Sequence, residues 1–201
     1  MMDIDAGLVK RLREACGAGI MDCKMALSEA QGDMDEAVKI LRKKGMATAD
    51  KKSSREANEG MIDSYIHPGS KVGVLIEVNC ETDFVARNDD FKTFVHDVAM
   101  HIAAASPAWV SRQDIPEDMV AAELEIYSAQ ARQTGKPEPV IQKIAEGKLE
   151  KWYSTVVLLE QEFVKEPGKT VDELRRELVG KIGENIEVRR FARFRVGDEV
   201  A

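Results

Sequence analysis

The sequence has few cysteines and no long apolar run, and each shortage excludes a class of protein. Three cysteines in 201 residues are too few, and too odd in number, for a disulfide framework, so we expect reduced thiols. No apolar stretch approaches the ~18 residues that would indicate a membrane-spanning helix. The acidic start also lacks the apolar region of a secretory signal. These features predict a cytoplasmic protein that does not associate with membranes.

The chain also lacks the positive charge of a general nucleic-acid binder. Lysine and arginine total 29 against 36 acidic residues, which gives a net charge of −7. A protein that binds nucleic acid through its phosphates needs a positive field to displace their counterions. We therefore expect no direct binding to nucleic acid. The content of 44% hydrophobic and 32% charged residues is instead typical of a globular protein.

No group of residues has the spacing of a catalytic or metal site. His96 and His101 are five residues apart, so they would lie on different faces of a helix instead of forming the i, i+4 pair of a zinc-binding helix. Gly17 and Gly19 lack the preceding strand of a phosphate-binding loop. Cys80 has no local base and is more typical of a buried cysteine, with a thiol-dependent enzyme as the less favoured alternative. We expect no catalytic residues, no cofactor and no metal ion, and hence no enzyme.

Residues 1–45 contain three short helical patterns that predict a small bundle. Apolar residues recur at helical spacing, with Asp5 and Asp33 placed to cap the first and third helices and Gly45 expected to end the third. The expected helices cover residues 5–16, 21–30 and 34–45. So small a bundle seldom encloses a catalytic site and is expected to dock onto a partner. The stretch 42–59 is rich in basic residues and poor in large apolar ones, which predicts a linker at residues 46–59, after the bundle.

Residues 60–201 have the pattern of an α+β domain. The expected strands are 61–66, 72–78 and 186–196, and Pro68-Gly69 predicts a hairpin turn between the first two. The expected helices are 91–102, 117–132, 140–159 and 170–182. In the last strand, alternation places one apolar set on the covered face: Ile186, Val188, Ala192, Phe194 and Val196. The predicted fold class is α+β, with a three-helix module followed by about three antiparallel strands covered by helices.

The last strand also carries four arginines, Arg189, Arg190, Arg193 and Arg195. An exposed row of arginines, together with the basic linker, could hold RNA phosphates, and this gives an alternative function as an RNA-associated module. Few aromatic residues alternate with them as they would on a base-stacking platform. Pairing with the many carboxylates of the chain is therefore the favoured interpretation.

Residues 80–89 form an unusual segment between an apolar strand and an amphipathic helix. Thr82 or Asp83 can cap a short helical turn there. Phe84 would then project from a strand–helix junction, a place where loops carry function. The alternative is that its ring packs into the core, and the usual burial of phenylalanine favours that alternative.

Two long motifs stand out: REACGAGIMDCK at residues 13–24 and EVNCETDFVARN at residues 77–88. They resemble the two signatures of the translation elongation factor Ts family. They occur in the family's order and with its gap, and GENI at residues 183–186 also matches. The similarity spans nearly the whole chain. This sequence departs from the family pattern at three positions: Cys16, where threonine is usual, Ile20, where methionine is usual, and Met25, where lysine is common.

The resemblance implies a guanine-nucleotide exchange factor. Such a factor binds elongation factor Tu in its GDP form, disturbs the Mg²⁺ and phosphate site, promotes GDP release and stabilises the empty form until GTP binds. The resemblance also implies that the N-terminal module is similar to ubiquitin-associated domains and docks on elongation factor Tu. Because the chain resembles the short form, with one core unit where longer members have two, two chains are expected to be able to pair as a homodimer.

The resemblance assigns roles to two sets of residues. The residues implied to dislodge the magnesium ion of elongation factor Tu are Thr82, Asp83, Phe84 and Val85. The residues implied to form the docking surface are Arg13, Gly17, Ala18, Gly19, Ile20, Met21, Asp22 and Lys24. For Asp83, both repulsion of phosphate and binding of a freed backbone amide remain open.

Overall fold

The computed structural model describes residues 4–198, which form eight α-helices, two short 3₁₀ turns and one three-stranded antiparallel sheet. The helices are α1 (Ala6–Cys16), α2 (Ile20–Glu29), α3 (Met34–Lys52), α4 (Asp83–Ala86), α5 (Asp89–Ala105), α6 (Glu117–Arg132), α7 (Glu138–Val156) and α8 (Val171–Ile182). The strands are β1 (Glu59–Ile66), β2 (Val72–Cys80) and β3 (Ile186–Arg195), in the sheet order β1-β2-β3. The α+β class is confirmed. Within residues 4–198, no helix is both long enough and apolar enough to cross a membrane.

Its internal contacts divide the chain into two compact units. Among the described residues, the first unit comprises 4–61, 78–94 and 173–187, and the second comprises 62–77, 95–172 and 188–198. The first unit thus contains the N-terminal helices together with the segment after β2. The division of the chain into a docking module, a linker and a core, at residues 1–45, 46–59 and 60–201, stays a prediction.

The three N-terminal helices form where capping and periodicity predict them. The Asp5 carboxylate accepts from the Gly7 amide at 3.2 Å, and the Asp33 carboxylate accepts from the Glu36 amide at 2.9 Å. Gly17 ends α1 in the left-handed conformation, with a φ of 68°. Seven buried residues of the three helices form one small core: Val9, Leu12, Cys23, Ala26, Leu27, Ala37 and Leu41.

The third helix does not end at Gly45, so that expectation is wrong. It continues through the first half of the predicted linker, because α8 packs directly against it. The backbones approach so closely that a Cβ atom on Gly180 would lie 2.8 Å from the Cα atom of Gly45. Next to this crossing, Arg42 pairs with Glu173 at 2.9 Å and with Glu177 at 3.3 Å. Gly45 therefore serves helix packing and not helix termination.

The last strand follows the predicted alternation only over its first residues. Ile186 and Val188 are buried, as expected. Arg189 and Arg190 are then both exposed, which moves the later side chains to the opposite phase. The expected inward positions beyond this point are wrong, because three apolar residues are exposed instead of covered: Ala192, Phe194 and Val196.

His101 lies fully buried in the second unit, within a short hydrogen-bond network. Its Nδ1 accepts from the Val164 amide at 3.3 Å, and its Nε2 lies 2.9 Å from Oε1 of Gln161. Because Nδ1 is the acceptor, the neutral ring carries its proton on Nε2 and donates it to Gln161. Burial lowers the pKa of His101. The histidine is therefore a neutral structural residue.

We expect the free energy of unfolding to fall when the pH drops below about 6.5, the ordinary pKa of an unfolded histidine. The unfolded chain then binds a proton at His101 that the folded protein resists, which costs up to about 1.4 kcal/mol for each pH unit. Urea unfolding between about pH 7.5 and 5.5 measures this slope. The slope should become smaller in His101→Gln and keep its value in His67→Gln, a control at an exposed histidine. An unchanged slope in His101→Gln would contradict the assignment.

Candidate partner-binding site

The segment Thr82–Val85 is a short helical turn directly after β2, and its side chains lie in different surroundings. The Thr82 hydroxyl caps α4 by accepting from the Val85 amide at 3.4 Å. Val85 is buried, Asp83 is partly exposed, and Phe84 is 79% exposed. The placement of Phe84 in the core is therefore wrong. Because Val85 takes the inward position of this single turn, the neighbouring Phe84 ring faces solvent.

Two carboxylates hold the backbone of this turn. The Glu184 carboxylate accepts from the Thr82 amide at 3.0 Å and from the Thr82 hydroxyl at 2.7 Å. The Glu81 carboxylate accepts from the Asn185 amide at 2.7 Å. This amide bond first, and then the Arg55 guanidinium, lower the pKa of Glu81. Residues 81–82 are thus tied to the start of β3, and this fixes the turn that displays Phe84.

Asp83 has an ion-pair partner on the same turn. Its carboxylate lies 2.8 Å from the Arg87 guanidinium, four residues later. Both side chains are well exposed, at 45% for Asp83 and 75% for Arg87. An exposed ion pair of this kind is weak, so a partner protein can replace it with its own contacts to Asp83 or Arg87 at little cost in free energy.

Cys80 lies beneath the turn and does not have the properties of a nucleophile. It is fully buried, and its thiol donates to the Thr82 carbonyl at 3.2 Å. Burial and, after it, the Glu184 carboxylate raise the pKa of Cys80 to about 11. So little thiolate forms at neutral pH that the surroundings argue against the thiol-enzyme alternative. Residues 4–198 contain no group of three or more histidine, cysteine or acidic side chains that could hold a metal ion.

The docking residues implied for the N-terminal module lie around the turn between α1 and α2. Ile20 and Met21 are 54% and 66% exposed, and Met25, one turn later, is 50% exposed. Beside them is a groove of about 270 Å³ that is lined by apolar and basic residues: Ile4, Ala6, Val9, Lys10, Arg13, Ile20 and Lys24. The structure thus brings Arg13, Ile20 and Lys24 to one surface.

The other implied docking residues shape the turn between α1 and α2 or lie next to it. Gly17 ends α1, and a Cβ atom there would meet the Lys181 side chain at 2.6 Å. Ala18 packs against the core of the three helices, and Gly19 precedes α2 as its N-cap residue. Asp22 forms an ion pair with Lys44 at 2.6 Å.

Two of the basic side chains of the RNA alternative form ion pairs with carboxylates of this chain. Arg190 pairs with Glu77 at 2.6 Å, so the predicted pairing with carboxylates is confirmed for this arginine. Arg55 of the predicted linker pairs with Glu81 at 3.3 Å. These pairs offset positive charge that RNA phosphates would need.

Comparison with known proteins decides the family. The family model described as Elongation factor TS matches residues 18–177. The chain is also 57% identical, over 197 residues, to Elongation factor Ts of Geobacter sulfurreducens, and the match covers 98% of this chain and 91% of that protein. The chain belongs to the elongation factor Ts family.

Other members of the elongation factor Ts family show the same degree of similarity. Elongation factor Ts of Anaeromyxobacter sp. is 59% identical over 198 residues, which are 98% of this chain and 90% of the relative. Elongation factor Ts of Thermoanaerobacter sp. strain X514 is 54% identical over 197 residues, which are 98% of this chain and 97% of the relative. The family predicted from the two motifs is confirmed, and the chain is a translation elongation factor.

The residues that position the site are not apparent from the sequence. Glu184 and Asn185 hold the turn after β2, and they lie beyond the family-model match at 18–177. The only available signal was the resemblance of residues 183–186 to the entry of the family's last strand. Periodicity could not find this role, because it depends on a contact across about 100 residues of sequence, between Thr82 and Glu184.

Proposed function

We propose that this chain is the guanine-nucleotide exchange factor of elongation factor Tu, with Phe84 as the side chain that opens the nucleotide site. The observation that carries the proposal is the 79% exposure of Phe84 on a turn held by Thr82 and Glu184. A large aromatic ring gains free energy when a partner removes it from water. Membership of the elongation factor Ts family supports elongation factor Tu as that partner.

Thermodynamic linkage explains how such a contact releases GDP. Mg²⁺ and the surrounding protein groups hold the phosphates of a nucleotide in its site. If Phe84 is buried only when that site is distorted, binding of the factor stabilises the distorted state and weakens GDP binding. By reciprocity, GDP weakens binding of the factor by the same ratio, and GTP later displaces the factor. The chain makes no covalent change, so it acts without being an enzyme, and the nucleotide and metal ion belong to elongation factor Tu.

Asp83 assists Phe84 as a hydrogen-bond acceptor. The Arg87 guanidinium, at 2.8 Å, offsets much of the negative charge of Asp83, which leaves little repulsion of phosphate. A carboxylate oxygen is nevertheless a strong acceptor for a backbone amide. We therefore favour the interpretation that Asp83 binds an amide freed when the phosphate site opens.

The N-terminal module supplies affinity for elongation factor Tu. Exposed Ile20 and Met21 offer apolar contact area, and Lys10, Arg13 and Lys24 line the neighbouring groove. A surface that combines apolar and basic side chains fits a partner surface of apolar and acidic residues. We also propose that this module is similar to ubiquitin-associated domains and that the chain acts in the cytoplasm.

We expect Met21→Ala to weaken binding to nucleotide-free elongation factor Tu about tenfold, since truncation of an exposed anchor residue in an interface costs on the order of 1–2 kcal/mol. Calorimetric titration measures the affinity. Met119→Ala is the matched control, because Met119 is 41% exposed on α6. Equal affinities for the two variants would argue against docking through this surface. Removing residues 1–45 is a poorer test, since the cut falls inside α3.

We also propose that two copies of the chain pair through the exposed face of the sheet. Ile62 and Ile66 of β1, Leu75 of β2 and Phe194 of β3 are 49–70% exposed. A Cβ atom on Gly73 would lie 2.9 Å from Cδ1 of Ile66, which places this glycine and that side chain on one face. An open apolar sheet face of this kind packs well against a second sheet.

The pairing predicts that Leu75→Asp shifts the chain from dimer to monomer, because a pair of buried, unpaired carboxylates would face each other. Light scattering during gel filtration gives the mass of the native protein and of the variant. Leu124→Asp, at a leucine that is 36% exposed on α6, should keep the mass of the native protein. A native protein that elutes as a monomer at high concentration would contradict the pairing.

The release of fluorescent GDP from purified elongation factor Tu, at constant Mg²⁺ concentration, tests the function. We expect a large acceleration that saturates with the concentration of this chain. Complex formation without acceleration would overturn the role of Phe84 at the nucleotide site. If neither complex formation nor faster GDP release is seen, the exchange function is overturned and the RNA-associated alternative is favoured. That alternative predicts salt-sensitive retention on RNA.

A further inference from the structure

Met21 and Met25 place two thioethers at the surface of the docking module. Met21 is 66% exposed and Met25 is 50% exposed, and both belong to α2. Residues four apart lie on the same face of a helix, so the two side chains share one face of α2. Met34, at the start of α3, packs instead against the small core of the three helices. The same residue type therefore has two different surroundings within one module.

We propose that Met21 and Met25 are modification sites, where oxidation to methionine sulfoxide by hydrogen peroxide weakens docking. The oxidation depends only on the exposure of the two thioethers, whereas its effect on docking rests on the proposed function. Dedicated reductases convert methionine sulfoxide back to methionine, so the modification is reversible. The docking surface thus responds to peroxide while the fold of the module stays the same.

The oxidation transfers one oxygen atom to each sulfur. A lone pair of the thioether sulfur attacks one oxygen of hydrogen peroxide, the O–O bond breaks, and an S–O bond forms. The leaving hydroxide takes up the proton of the transferred oxygen and departs as water. Each sulfur loses two electrons, and one hydrogen peroxide molecule becomes one water molecule. The peroxide must reach the sulfur atom, which the exposure of both side chains permits.

The added oxygen makes an apolar contact surface polar. A sulfoxide in water accepts hydrogen bonds from the solvent, and a sulfoxide covered by an apolar partner surface loses them. Burial of a polar group without a new hydrogen bond is unfavourable. Exposed Ile20, next to Met21, keeps its apolar side chain, so docking is weakened and not abolished. We expect the chain with both sulfoxides to bind elongation factor Tu about 10- to 100-fold more weakly.

The module should stay folded after this oxidation. Met21 and Met25 already face solvent in the folded chain, so their sulfoxides stay hydrated whether the chain is folded or unfolded. A sulfoxide on Met34 would instead place a polar oxygen against the apolar core and would destabilise the module. We therefore expect an unchanged midpoint of thermal unfolding when Met21 and Met25 alone are oxidised. A lowered midpoint would overturn the local effect, because unfolding would then explain the weaker binding.

Peptide mapping tests the two modification sites. Trypsin cleaves after lysine and arginine, so peptide 14–24 contains Met21, and peptide 25–39 contains both Met25 and Met34. After brief exposure of the free chain to hydrogen peroxide, fragmentation should locate one added oxygen on Met21. In peptide 25–39, the oxygen should be found on Met25 several times more often than on Met34. An unmodified Met21, or equal oxidation of Met25 and Met34, would overturn the sites.

Affinity for elongation factor Tu, measured by calorimetric titration after removal of the peroxide, tests the control of docking. The quantity compared is the ratio of the affinities before and after oxidation, so any effect of a substitution on the starting affinity cancels. The double variant Met21→Leu/Met25→Leu has no thioether at these positions, and its ratio should stay at about one. Met119→Leu removes an exposed thioether from α6 and should lose affinity on oxidation as the native chain does.

Reduction completes the test. Treatment of the oxidised chain with both methionine sulfoxide reductases, one for each epimer at sulfur, should restore the affinity. Unchanged affinity with proven sulfoxides at Met21 and Met25 would overturn the control but not the sites. Loss of affinity in the oxidised double leucine variant would assign the effect to another residue, such as the partly exposed Cys16, and would also overturn the control. Failure of the untreated chain to bind would overturn the proposed function itself.

Discussion

Replacing Phe84 by alanine should slow the release of GDP from elongation factor Tu about 10- to 100-fold at saturating factor. Burial of a phenylalanine side chain contributes about 1.5–3 kcal/mol, and on our proposal this contribution is available only in the distorted state of the partner. The ring is 79% exposed in the free chain, so its loss leaves the internal packing intact. Stopped-flow measurement of fluorescent GDP gives the release rate.

Two further variants make this test specific. Ile126→Ala also truncates an exposed apolar side chain, which is 49% exposed on α6, and should exchange like the native protein. Phe84→Leu keeps an apolar side chain of smaller size and should fall between the native protein and Phe84→Ala. Thermal unfolding of all three variants should match the native protein. If elongation factor Tu released GDP as fast with Phe84→Ala as with the native protein, the proposed role of Phe84 would be wrong, although the family assignment would stand.

The second large effect is expected at the crossing of α3 and α8, where Gly180→Ala should destabilise the protein by about 1–3 kcal/mol. The new Cβ atom would lie 2.8 Å from the Cα atom of Gly45, and a backbone atom cannot move away as a side chain can. The higher helix propensity of alanine offsets up to about 1 kcal/mol of this cost. Thermal unfolding should show a midpoint lowered by about 2–4 °C for each kcal/mol.

The same crossing supplies its own control. A Cβ atom on Gly45 would lie 3.9 Å from the Cα atom of Gly180, an ordinary van der Waals distance. Gly45→Ala should therefore keep or raise the stability, since it gains helix propensity without a clash. Opposite effects of one substitution at two facing glycines would identify close backbone packing. A stable Gly180→Ala protein would show that the two helices are less tightly packed.

The crossing of α3 and α8 also explains why the predicted end of α3 at Gly45 was wrong. In the sequence, Gly45 has the surroundings of a helix end, because a glycine there directly follows three basic residues, 42–44. Its helical conformation depends on α8, which lies more than 100 residues later, and no local pattern contains that information. The caps at Asp5 and Asp33 were predicted correctly because each depends on a bond within three residues.

The sheet shows the same limit at the level of single side chains. Alternation identified β3 and its buried start at Ile186 and Val188. The change of phase at Arg189 and Arg190 left Phe194 exposed, and a strict period of two cannot anticipate such a change. The exposed face that we propose for self-association was therefore visible only after the strands were assembled.

By itself, the sequence determined the family, the α+β class and the caps of the N-terminal helices, because motifs, periodicity and capping depend on neighbouring residues. Only the tertiary structure decided that Phe84 faces solvent, since this follows from the inward position of Val85 and from the bonds of Glu184 to Thr82. The packing of the whole chain determines which distant segments contact each other. The proposed function depends on those contacts.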